Sequence, residues 1–177
     1  AGRGPLAGPV YAAAVVLRPG QVIEGVNDSK KLSEKKREAL FDTICSQCAA
    51  YGIGSATEKE IDEINILNAT YLAMQRAVAA LPVQPDCALV DGNRAPDLPL
   101  EVRTIIKGDA QSASIAAASI LAKVSRDRYM LQMAEKYPQY AFEKHKGYGT
   151  KLHYERLEQY GISPIHRLSF LKKWMNR

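Results

Sequence analysis

PVYAAAVVL, Pro9–Leu17, is a run of small and β-branched residues closed by RPGQ at positions 18–21. An uncharged run of this length ended by turn chemistry reads as a buried strand followed by a turn. Downstream, LSEKKREALF (32–41) offers Ser33 as a helix cap, Glu34 in the first turn and Leu40 with Ile44 four residues apart, so a helix should begin near Ser33. Strand then helix is the unit of an α/β fold. GIGSAT (52–57) gives a weaker strand, and Thr57 with Glu60 forms a T-x-x-E capping box for the next helix. Leu67, Tyr71, Met74, Val78 and Leu81 recur at helical spacing, and this stripe is expected to be core. CALVD (87–91) and VRTII (102–106) are strand-length runs closed by DGNRAP and KGD, so each is followed by an aspartate at its C-terminal end. A long helix is expected over SIAAASILAKVSRDRYMLQMAEKY (114–137). Its early small face, Ala116 to Ser119, suits close approach to a sheet or a substrate backbone. TKLHYERLEQYG (150–161) reads as a last helix stopped by Gly161.

The 177 residues are one domain's worth, with 46% hydrophobic and 24% charged residues, values that exclude a disordered or fibrous chain. No apolar run approaches the roughly 20 residues of a membrane span and no leader is evident, so a cytoplasmic protein is expected, with no membrane partner. Without an exposed apolar heptad, a monomer is expected. Cys45, Cys48 and Cys87 are too few for a disulfide framework, and the C-x-x-C of Cys45 and Cys48 falls inside a helix without a second ligand pair. The net charge of +5 is localised. From Glu143 to Arg177 there are eight Lys or Arg against three Glu, while the first 142 residues balance at sixteen of each sign. Eight of the thirteen aromatics also fall at or beyond Tyr137, so residues 137–177 form a basic, aromatic-rich helical subdomain of the same domain. Such a subdomain suits phosphates and bases, but composition alone favours the plainer reading in which its aromatics are core and its lysines solvated.

Asp91 in VDGN and Asp109 in KGD are the first candidates for chemistry. Two carboxylates at neighbouring strand ends beside glycines supply the hard oxygen ligands a divalent cation needs, and each is also an ordinary turn residue. NDSKKLSEKKR (27–37) sets Lys30 and Lys31 before a helix start, a place to hold a phosphate or simply a solvated face. His145, His153 and His166 have no nucleophile-elbow partner and no H-E-x-x-H spacing, and no P-loop or dinucleotide fingerprint occurs. Asp127 in SRDR either faces the metal site or pairs with Arg126 or Arg128.

The chain opens AGRGPLAGPV, where a Gly-Arg-Gly turn lets backbone approach an anionic partner closely. GRGPLAGPV, NDSKKLSEKKR, EIDEINILNATYLAMQRAV, VDGN, KGD, IAAASILAKVSRD and HKGYGT, in this order and spacing, closely resemble bacterial ribonuclease HII, the type 2 ribonuclease H, from Gly2 to about Phe170. The resemblance implies an α/β ribonuclease H-like fold: a mixed sheet flanked by helices, with a small helical C-terminal lobe. It implies an endoribonuclease that cuts 5′ of ribonucleotides in RNA–DNA hybrids and of single ribonucleotides in duplex DNA. Mg²⁺ or Mn²⁺ would be held by four acids, two of which match Asp91 and Asp109. Gly2, Arg3, Gly4 and Tyr148 match the loop and tyrosine that recognise the ribose 2′-OH, the group that separates RNA from DNA. Lys30, Lys31 and Lys107 are candidates for phosphate contacts.

The resemblance also places an Asp-Glu pair of a first strand directly before the position of Ala1, and the 177 residues do not contain it. Two carboxylates in place of four hold a metal far more weakly, so the chain as written is expected to be a fragment and nearly inactive. The alternative is a catalytically silent nucleic-acid-binding module of the same fold.

Overall fold

In the computed structural model, which describes residues 1–26 and 31–177, the opening apolar run forms β1 (Val10–Val16). After Ser33, whose side chain accepts from the Lys36 amide, comes α1 (Glu34–Gln47). β2 (Ala50–Ala56) lies antiparallel to β1 with Val10 opposite Ala56 and Val16 opposite Ala50. The Thr57–Glu60 capping box starts α2 (Glu58–Ala79). β3 (Cys87–Asp91) and β4 (Glu101–Ile105) pair in parallel, with Asp91 opposite Ile105. Among the described residues the strands therefore form a mixed set in two ladders, one antiparallel and one parallel. A single turn, α3 (Gly108–Gln111), leads into α4 (Ala113–Lys136), capped by Ser112. α5 (Phe142–His145), α6 (Lys151–Tyr160) and α7 (Lys172–Met175) build the C-terminal lobe.

β1 has side chains packed toward helices on both of its faces, with Val10 and Ala12 buried and the rest of the strand half-buried. Val10 and Ala12 join Ala56, Ile61, Ala69, Ala73 and Ala77 on the α2 side. Ala13 and Val15 pack instead against Ile120, Leu121 and Val124 of α4 and Ile44 of α1. The small face of α4 includes buried Ala116 and Ala117, in keeping with the expected close approach.

α2 departs from expectation twice. Asn65 has φ 72°, ψ 168°, so the helix is two pieces joined at a residue type that tolerates positive φ; its side chain then accepts from the Asn68 amide and caps the second piece. The stripe Leu67, Tyr71, Met74, Val78 and Leu81 is half-buried, and the buried face is the alanine row. The reason is backbone proximity. A Cβ on Gly54 would meet the Ala73 carbonyl and the Ala77 amide, so helix and strand touch main chain to main chain and only alanines fit between them. Gly54→Ala should therefore cost about 2 kcal/mol or more. Thermal unfolding should shift down by about 4–8 °C; an unchanged melting temperature would refute the close-packing account.

The C-terminal lobe has its own core of Tyr140, Phe142, Leu157, Ile165 and Leu171, completed by Met130 of α4 and Leu6 and Ala7 of the opening segment. Tyr140 and Phe142 thus follow the core reading of the tail's aromatics. Asp62 of α2 ties the lobe down by accepting from the amides of Leu168 and Ser169 and from the Ser169 hydroxyl.

Candidate active site

A cleft of about 660 Å³ lies between the two ladders, lined on one side by β1 and on the other by β3, with Arg3 and Asp91 among its lining residues. Met74 and Val78 of α2 and Leu81 just after it also line the cleft, which is why they are not sealed core. At its end, Ala1 and Tyr11 exchange two main-chain hydrogen bonds, 2.8 Å from the Ala1 amine to the Tyr11 carbonyl and 2.9 Å from the Tyr11 amide to the Ala1 carbonyl. This is the pattern of an antiparallel hydrogen-bonded pair on the edge of β1 away from β2.

Asp91 ends β3 exposed, and one of its oxygens accepts from the Gly108 amide at 2.8 Å. That bond draws the turn after β4 onto the end of β3, and Asp109 follows at once as the second residue of α3. The parallel register of β3 and β4 is what brings the two strand ends together. Lys107, exposed with φ 53°, precedes Gly108 at the same turn. Oxygen donors of this kind fit a hard divalent cation such as Mg²⁺ or Mn²⁺. Among the described residues, however, no three His, Cys, Asp or Glu side chains gather as a metal-ligand group.

The Gly-Arg-Gly turn and Tyr148 meet across the lobe boundary. A Cβ on Gly4 would stand 3.8 Å from the Tyr148 ring, an ordinary contact, and Gly4 does not have positive φ. Nothing inside the chain therefore demands glycine at this exposed position, which lies beside a tyrosine that is 40% exposed. Gly2 is different: its φ is +86°, and a side chain would collide with Arg126.

Two fully buried arginines hold this turn from beneath. Arg167 donates to the carbonyls of Gly8 at 2.8 Å, Arg3 at 3.0 Å, Gly2 at 2.6 Å and Pro9 at 3.2 Å. Arg126 donates to Pro9 at 2.9 Å, Lys146 at 2.7 Å and Ala7 at 2.8 Å, and its guanidinium lies 5.9 Å from the centre of the Tyr148 ring. Among the described residues neither makes an ion pair with a carboxylate. Burial holds both guanidiniums below the usual arginine range, and for Arg167 the neighbouring Arg126 adds to the effect. Turning the carbonyls inward onto buried positive charge gives the turn an electropositive base, which suits an anionic partner.

The three histidines, which showed no local pattern, converge beneath Tyr148. The His145 and His153 rings stack at 4.2 Å, and His153 Nε2 lies 2.8 Å from His166 Nε2. The other ring nitrogens of the pair bond to Tyr148 O at 2.8 Å from His153 Nδ1 and to the Ser163 hydroxyl at 2.7 Å from His166 Nδ1. Burial holds His153 at about 4 and His166 at about 3, and pushes His145 down as well. Sequence spacing could not show this, because the residues sit on α5, α6 and the loop after α6.

Other sequence candidates resolve individually. Lys31 is exposed in the turn before α1 and does not line the cleft, whereas Lys30, with Asn27, Asp28 and Ser29, lies outside the described residues. Asp127 is buried and pairs with Lys123 at 3.1 Å, one helical turn away, rather than with Arg126 or Arg128; Arg128 instead pairs with Glu38 at 2.6 Å. Cys45 lies in α1 and Cys48 caps it, both as free thiols. Among the described residues no helix is long and apolar enough to cross a membrane.

The family model of ribonuclease HII matches residues 1–173. The chain is 60% identical over 172 residues to ribonuclease HII of Caldicellulosiruptor bescii, covering 97% of this chain and 84% of that protein. It is 62% identical over 171 residues to ribonuclease HII of a Marinomonas strain, covering 96% and 86%. The crystal structure of ribonuclease H2 from Pyrococcus horikoshii superposes with a TM-score of 0.79 at 29% identity, covering 100% of this chain and 96% of that one. The chain belongs to the ribonuclease HII family, the metal-dependent type 2 ribonucleases H that act on nucleic acid.

Proposed function

We propose that the cleft is the catalytic groove of an endoribonuclease that hydrolyses the phosphodiester 5′ of ribonucleotides, both in RNA–DNA hybrids and as single residues in duplex DNA. The observation that carries this reading is the exposed, sterically unconstrained Gly4 backbone against the Tyr148 ring, next to Arg3, which lines the cleft together with Asp91. A 2′-OH is both donor and acceptor, so bare main chain and a phenol at one spot can register it. Gly2, Arg3, Gly4 and Tyr148 would read the ribose, and Lys30, Lys31 and Lys107 would contact phosphates. Asp91 and Asp109 would hold Mg²⁺ or Mn²⁺, which when bound activates water and neutralises charge on the phosphate and the leaving oxygen. Residues joined ahead of Ala1 in the register of the Ala1–Tyr11 pair would run along β1 opposite Ala12 and Ala13, inside the same cleft. An Asp-Glu pair there would add its carboxylates to that of Asp91.

The test is cleavage of a DNA duplex with one ribonucleotide, in Mg²⁺ and in Mn²⁺, by the 177-residue chain and by a chain carrying Asp-Glu ahead of Ala1. Cutting 5′ of the ribonucleotide by the longer chain is expected, with Asp91→Asn slowing it on the order of a hundredfold or more. Tyr148→Phe should lower the preference for the ribonucleotide more than the affinity for plain duplex; an unchanged preference would remove Tyr148 from the reading. The second reading is a binding module of the same fold without catalysis. Binding without cutting by either chain would select it.

A further inference from the structure

We infer that His153 and His166 are positioning residues for Tyr148, forming a directed hydrogen-bond chain from Ser163 that locks the main chain beneath the exposed phenol. The inference rests on the proposal that Tyr148 reads the ribonucleotide.

The direction of the chain follows from its ends. Tyr148 O can only accept, so His153 Nδ1 carries a proton and donates to it at 2.8 Å. His153 Nε2 is then a bare acceptor in the neutral ring, so the proton in the 2.8 Å contact between the rings belongs to His166 Nε2. His166 Nδ1 is in turn bare, and it meets two donors, the Ser163 amide at 2.9 Å and the Ser163 hydroxyl at 2.7 Å. Every proton has one consistent place. A second proton on either ring would set donor against donor, and burial keeps both rings neutral.

The chain acts on the tyrosine through its backbone. Tyr148 N donates to His145 O at 2.9 Å, and Tyr148 O also accepts from the Thr150 amide at 2.9 Å, so His153 is the third tie on one residue. The far end is fastened to the opening segment, because Gly8 N donates to Ile165 O, Arg167 N to Leu6 O, and Leu6 N to Gly147 O. Both parts of the proposed ribose reader are thus held by one continuous set of bonds. Neither ring lines the cleft, and His153 is 0% and His166 3% exposed, so neither can touch substrate.

Two substitutions separate positioning from packing. His166→Gln keeps a donor at the ε position toward His153, whereas His166→Asn keeps only the end that faces Ser163. The readout is the ratio of affinities for a duplex with one ribonucleotide and the same all-DNA duplex, by fluorescence anisotropy in EDTA, so that no cleavage is needed. We expect His166→Asn to lower the ratio about fivefold, the worth of about one hydrogen bond, and His166→Gln to stay close to the parent. A ratio unchanged in His166→Asn, or lost equally in both variants, would overturn the inference while leaving the role of Tyr148 standing. No preference in the parent chain would instead overturn the role of Tyr148, and this inference with it. Ring ¹⁵N spectra of the parent check the same point without any variant: protonated Nδ1 in His153 and protonated Nε2 in His166 are required, and the opposite or averaged tautomers would refute the chain.

Discussion

Replacing Arg167 with methionine should prevent stable folding or lower the melting temperature by 10 °C or more. The side chain is fully buried and its donors serve the carbonyls of Gly2, Arg3, Gly8 and Pro9. Methionine fills similar length but takes the partner from the carbonyls of Gly2, Arg3 and Gly8, while Pro9 keeps Arg126, and each buried orphan costs about 1–3 kcal/mol. Several together approach the whole stability of an ordinary domain, about 5–15 kcal/mol. Roughly 2–4 °C per kcal/mol at this size gives the expected shift. Lysine keeps the charge but loses the planar fork, so Arg167→Lys should fall between parent and methionine variant. A methionine variant melting within about 2 °C of the parent would show that the carbonyls find water instead. The same substitution should free the Gly2–Gly4 turn, because its carbonyls would no longer be held inward.

Acidification below pH 6 should unfold the protein through the histidine pair. His153 and His166 have folded values of about 4 and about 3, against an ordinary histidine value of 6.5. Burial is the main cause for both; His145 beside His153, and His153 and His145 beside His166, add to it. The unfolded chain therefore takes up protons first as pH falls. The stabilisation is intact above about pH 6.5 and is lost as pH drops toward 4 and then 3, roughly 3 kcal/mol for each ring by pH 4. Facing groups do not rescue it. Glu143 acts on His145 only, and the lobe side of the pair presents Tyr140 and Phe142. Urea midpoints measured from pH 7.5 to 4.5 should fall steeply below pH 6.5 in the parent and more gently in His166→Gln. Parallel profiles for the two would exclude the pair as the source.

Much of the fold is legible because its signals are local. Ser33, the Thr57–Glu60 box and the Gly161 stop each act within a few residues, and the structure places α1, α2 and α6 at those boundaries. PVYAAAVVL and CALVD become β1 and β3 with ends within a residue of the run. The Asn65 break escaped because an asparagine inside a helical pattern looks like any polar residue until its φ turns positive. The half-buried Leu67–Leu81 stripe escaped because periodicity shows which residues share a face, and not which face meets the sheet. That choice was made by Gly54, through main-chain contact with α2.

The candidate site divides in the same way. Asp91 and Asp109 were visible as carboxylates at the ends of apolar runs, and the resemblance to ribonuclease HII pointed to Gly2, Arg3, Gly4 and Tyr148. Each depends on its own short segment. The supports beneath them were not visible, because a buried arginine is recognised only by its acceptors, and Arg167 finds one 165 residues away at Gly2. The histidine chain likewise needs α5, α6 and the following loop folded together before its protons have defined places. Residue chemistry and local backbone preference, which act over a few bonds, were thus determined by the sequence alone. Burial without counter-charge, and the direction of every hydrogen bond under Tyr148, were decided by the tertiary structure, since only packing removes the water that would otherwise satisfy those groups.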